Sequence, residues 1–115
     1  MAALSAVTPT NNGTTIAGAS VAASDTIDQS LLGSKGAILE IINGGGSSDT
    51  VAISDSGTTP AGSAATNPGS AVANGTNKVF FIEPAQVNPA TGLVTVTHSF
   101  TTSVTYKLYS LSGMV

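Results

Sequence analysis

The 115-residue chain contains no cysteine, no tryptophan and no arginine. Without cysteine it has no disulfide framework, no Cys-based zinc site and no thiol nucleophile. A single histidine, His98, puts zinc sites built on two or three imidazoles out of reach. Charge is the next scarcity: 8% of residues are charged, against about 25% in an ordinary soluble domain. The cations are Lys35, Lys78 and Lys107, and the net charge is −3. A phosphate-binding surface needs clustered cations, so nucleic acid is not an expected partner. No run approaches the roughly 18 apolar residues of a membrane-spanning helix. The opening MAALSAVTPT has neither the basic segment nor the apolar core of a secretory signal. The Asn-Gly-Thr sequences at Asn12 and Asn74 therefore read as turns, not as glycan sites.

What remains is a chain of Ala, Gly, Ser, Thr and Val whose apolar weight is concentrated near its end. The stretch Asn77–Leu111 holds all three Phe and both Tyr. In Val79–Glu83, Phe80 and Ile82 fall on one side and Val79 and Phe81 on the other. Pro84 closes that strand because it lacks the donor a ladder needs. Asn88–Gly92 is a turn. Leu93–His98 then alternates, with Val94 and Val96 inward and Thr95 and Thr97 outward. The pattern repeats in Ser103–Leu111, where Val104, Tyr106 and Leu108 oppose Thr105, Lys107 and Tyr109. These three runs predict a β-meander.

Upstream, Ala37–Ile42 predicts a strand apolar on both sides, with Leu39 and Ile41 facing away from Ile38, Glu40 and Ile42. Asn43–Gly46 supplies turn chemistry. Thr50–Ile53 resumes with Val51 and Ile53 inward, so a hairpin is expected. Thr14–Ala23 suggests a strand weakened at Gly18. Residues 24–33 read as an irregular connection with at most a helical turn, Asp25 and Asp28 serving as caps or solvated groups. The expected fold is all-β: one small antiparallel β-barrel or β-sandwich with long Gly/Ser/Ala-rich loops. It comprises an N-terminal arm (1–10) and one β-domain (11–115), in which 54–77 is a long irregular loop. Loops of that length are often functional. The first ten residues are either an arm laid on a neighbouring subunit or a first strand paired to the chain's own sheet. The candidate interface residues are Leu4, Val7 and Pro9 in the arm, Pro60 and Pro68 in the loop, and Tyr109.

Chemical motifs are absent from this pattern. The triple glycine 44–46 is not followed by Lys, and Gly33–Gly36 leads into a strand, so neither is a phosphate loop. A Ser-His-Asp triad would need His98, yet no Ser sits in a Gly-x-Ser-x-Gly elbow. His98 reads as a sheet residue with a hydrogen bond or solvent contact. Glu40 and Glu83 lie in strands, where edge protection or solvation explains them. Asp49 and Asp55 read as isolated, outside any alternating-Asp calcium loop. No enzyme activity, cofactor or metal is expected.

These strands resemble a family of small tailed-bacteriophage structural proteins, encoded among the capsid genes and associated with decoration of the head. The resemblance lies in Ile38–Gly46, an aliphatic strand ending in Asn-Gly, and in the Thr/Val strand Thr50–Ile53. It continues through Val79–Pro84, Asn88, Gly92–Ser99 and Val104–Leu111, with His98 standing where the family more often has Tyr. It implies a cement subunit on the outer surface of the virion, contacting the major capsid protein and its own copies, as a homotrimer. Alternatives are a phage tail, connector or fibre component, and a carbohydrate- or host-surface-binding module. The last has only Tyr106 and Tyr109 to offer as aromatic platforms.

Overall fold

The computed structural model describes residues 2–7, 12–13, 18–55, 60–62 and 69–111. In chain order the elements are β1 (Ala2–Ala3), β2 (Ala19–Ser20), β3 (Ser24–Asp28), the single-turn helix α1 (Gln29–Leu32), β4 (Ala37–Asn43) and β5 (Asp49–Ile53). They continue with β6 (Gly69–Val72), β7 (Thr76–Ile82), a 3-10 turn at Pro84–Gln86, β8 (Leu93–His98) and β9 (Val104–Ser110). The first sheet has the order β1-β3-β8-β5-β6 and the second β2-β9-β4-β7. Every pair is antiparallel except β1 with β3. Neither sheet closes on itself, so of barrel and sandwich the chain forms the sandwich.

Period-two alternation built the core as the sequence predicts. Leu39 and Ile41 of β4, Val51 and Ile53 of β5, Val94 and Val96 of β8, and Val104 and Leu108 of β9 are all fully buried. Ile27, Leu32, Val72 and Ile82 complete the layer between the sheets. Burying side chains of this size contributes about 1.5–3 kcal/mol each.

Strand partnership differs from expectation. β4 and β5 are not a hairpin: β4 pairs with β7 and β9, whereas β5 pairs with β6 and β8. The glycine run between them carries the chain from one sheet to the other. Its path is fixed by Asn43, a buried amide whose Nδ2 donates to the carbonyls of Ser47 and Val72 and whose Oδ1 accepts from Gly45 N–H. The meander is also absent, because β7, β8 and β9 alternate between the sheets. Of the stretch expected as loop, Gly69–Val72 is an edge strand and Thr76 already begins β7. Glycine opens β6 because a Cβ at residue 69 would lie 2.1 Å from Val51 O.

Ser24–Asp28 is a full strand on β8, and the helix follows it, capped by the Asp28 carboxylate accepting from Ser30 N–H. That amide holds the Asp28 carboxyl below its usual value. Of the expected strand at 14–23, β2 forms at Ala19–Ser20, and residues 14–17 lie outside the described residues. Residues 2–7 take the own-sheet alternative. Ala2 and Ala3 pair with β3, Leu4 N–H donates to Thr26 O, and Val7 then bridges to Tyr109 of β9 in the other sheet. Leu4 is 7% exposed and belongs to the chain's own core, which takes it out of any interface.

Two adjacent glycines test the crossover between β4 and β5. A Cβ at Gly45 would sit 2.3 Å from Thr102 O and against the Phe100 ring, whereas one at Gly46 would meet nothing within 4 Å. Urea unfolding of Gly45→Ala should show a loss of about 1–3 kcal/mol from overpacking. Gly46→Ala should stay within about 0.5 kcal/mol of the parent.

Candidate functional site

Chemically reactive side chains meet at one place inside the sandwich. β3, β8 and β5 are neighbours in the first sheet, and their inward positions place Asp25, His98 and Asp49 together. His98 Nδ1 lies 2.6 Å from Asp49 Oδ2, and Nε2 lies 3.9 Å from Asp25 Oδ2. Asp49 Oδ1 accepts from the amides of Ser99 and Phe100. Asp25 Oδ2 accepts from Ala22 N–H, while its Oδ1 is buried without a hydrogen bond. All three side chains are at most 1% exposed. A ring and two carboxylates enclosed in this way join strands; they present no surface to a ligand.

Asp25 is neither a cap for α1 nor solvated, and Asp49 is not isolated. The signal was present in strand parity: residues 49, 51 and 53 share a face, as do 25 and 27, and 94, 96 and 98. Extending the inward parity to the strand ends brings all three groups into the interior.

On the outside of the second sheet apolar and polar side chains are mixed, and its β7 margin is apolar, exposed and uncovered among the described residues. Val79 is 62% and Phe81 54% exposed. The register sets Phe81, Ile38 and Tyr109 in one row across β7, β4 and β9. The next row is Val79, Glu40 and Lys107, and the third Asn77, Ile42 and Thr105. Val7 extends the first row, since its bridge to Tyr109 places the two side chains on the same side. Glu40 is held by Asn77 Nδ2 at 2.7 Å and by the Tyr109 hydroxyl at 3.4 Å. Burial, reinforced by the Glu40 charge, pushes the Tyr109 phenol above its usual value.

Among the described residues β7 is also the edge of its sheet. Gly44 N–H donates to Ser103 O and Leu111 N–H to Gly36 O, so even-numbered residues of β4 bond toward β9. Alternation then turns odd-numbered β4 residues toward β7 and leaves the amides and carbonyls of Asn77, Val79 and Phe81 pointing away from the sheet. An unpaired edge beside an apolar face is where a second chain can add.

Of the candidate interface residues, the structure brings Val7 and Tyr109 together on this face and takes Leu4 into the core. Pro60 is exposed in a turn, and Pro9 and Pro68 lie outside the described residues. Sequence reasoning missed Val79 and Phe81 as contact residues, although their parity had placed them opposite Ile82. Tyr106 is no sugar platform, being buried with its hydroxyl accepting from Ser5 N–H. A separate cleft of about 320 Å³ lies on the first sheet between Ser54–Asp55 and the Asn88–Leu93 turn, floored by Thr26 and Thr95. Set against family models, curated proteins and solved structures, the chain matches none.

Two measurements follow from these geometries. Asp49→Ala strands the His98 ring and two amides, and should cost about 3 kcal/mol or more in urea unfolding. An NMR titration of Tyr109 should show its phenol ionising above the ordinary value of about 10, and Glu40→Gln should move it back down. Because the unfolded chain releases that proton first, this contribution to stability is present below about pH 10 and is lost as pH rises beyond it.

Proposed function

We propose that this protein is a virion structural subunit, a decoration (cement) protein on the outer surface of a bacteriophage capsid, bound to the major capsid protein and to its own copies. The observation that carries the reading is the exposed apolar margin of the second sheet at Val79 and Phe81, on a β7 edge that is unpaired among the described residues. The phage setting comes from the resemblance in strand motifs.

The physics of such a surface suits lattice binding. Covering Val79 and Phe81 removes apolar area from water at about 25 cal/mol per Å². A strand added at β7 would pair the outward amides of Asn77, Val79 and Phe81, which have no partner strand among the described residues. With charges so sparse, contact strips few ions of their hydration, which is the usual cost of a polar interface. Association of this kind also supports a small domain, since binding the folded state shifts the folding equilibrium by mass action.

The decisive assay adds the purified protein to capsids lacking it. Binding should persist from low salt to near-molar salt, because an apolar, sparsely charged contact is weakly screened. Phe81→Asp should abolish it while leaving the fold intact. Stripping by salt would remove the proposed mechanism. In purified virions, quantitative mass spectrometry should give a copy number that is a simple fraction of the major capsid protein; absence from the particle would overturn the assignment.

A further inference from the structure

We infer that the outer face of the second sheet binds a second copy of this chain, face to face about a two-fold axis running along the strands between β4 and β9. The inference rests on the proposed function only in treating this face as a contact surface; it assigns the face to the protein's own copies and leaves the β7 edge for the capsid protein.

The face is complementary to itself in charge. Within the face, Glu40 and Lys107 stand side by side on neighbouring strands, in register. Among the described residues they form no ion pair with each other within 4.0 Å, and Lys107 makes no other ion pair. The Glu40 carboxylate is already oriented by Asn77 and Tyr109. The face thus presents one fixed anion beside one unpaired cation.

A two-fold axis between β4 and β9 lays β9 of one copy over β4 of the other. Lys107 of each copy then meets Glu40 of its mate, giving two reciprocal pairs at the centre. The same operation sets Ile38 over Tyr109 and Phe81 over Val7, apolar against apolar. Face-to-face sheets keep their strands within about 30° of each other, which preserves the match in the central rows. An isologous contact requires a patch that complements itself, and an adjacent plus-minus pair flanked by an apolar row meets that condition. A partner of another kind would need a separately matched surface.

The test uses the purified chain alone, so its outcome is independent of capsid binding. Sedimentation over a series reaching high-micromolar protein should show a monomer–dimer equilibrium. Glu40→Lys and Lys107→Glu should each weaken self-association by about tenfold or more, since each sets like charges against one another. Mixing the two variants one to one should restore a dimer containing one copy of each, seen by native mass spectrometry. A parent chain that stays monomeric throughout, or a mixture that fails to pair while the parent dimerises, overturns the inference. Should a charge variant fold poorly by circular dichroism, Phe81→Ser serves instead: its side chain is exposed, so the fold should hold while dimerisation weakens. Unchanged dimerisation of a folded Phe81→Ser would equally overturn it. A chain that dimerises yet ignores capsids keeps this inference and loses the decoration reading.

Discussion

Asp49, a carboxylate with no exposed surface, ties the first residue of β5 to the His98 ring and to the amides of Ser99 and Phe100. Much of one end of the sandwich depends on it. Phe100, placed by that bond, packs on Gly45 in the crossover that delivers β5 from the other sheet. Thr50 N–H donates to Ser99 Oγ and Ser99 N–H to Thr50 O, so the start of β5 is also bonded to the residue that follows β8. Asn43 adds the third connection, holding Val72 O with its side chain and accepting from Gly75 N–H with its backbone. A buried polar network is stabilising only when its members are satisfied. Here its role is to decide where strands cross, a specification that apolar packing does not supply.

That specification is needed because, among the described strands, only β5 pairs with its immediate successor in the sequence, β6. Pairing therefore joins distant segments, and ordering the chain between them must be offset before the ladders form. Such topologies fold slowly compared with those rich in local contacts. The second sheet shows the result: its two central strands, β4 and β9, are separated in sequence by most of the first sheet.

How much of this was legible in the sequence follows from what alternation encodes. A period of two states which side chains share a face, and that reading held for β4, β5, β7, β8 and β9. It says nothing of which strand lies alongside, so a glycine run between two alternating segments looked like a hairpin turn when it was a crossover. β6 escaped notice because Gly69-Ser70-Ala71-Val72 has one large apolar residue, and that composition resembles the loop around it. The buried acids were missed for a different reason. Asp25 and Asp49 sit beside Ser and Thr, where acids are ordinarily solvated, and the prior for residue type outweighed the parity of their positions. The apolar outer face was legible residue by residue, as Val79, Phe81, Ile38 and Tyr109. Only the register showed that they form one surface with Val7.

The opening segment joins both sheets, with Leu4 N–H on β3 and Val7 on β9 through bonds to Leu108 and Ser110. Ribosomes make chains from the amino end at about 5–20 residues per second, so Val7 emerges some hundred residues before its partners exist. Until β9 has been made, the opening segment has only its bonds to β3, and the side of the core that β9 covers stays open.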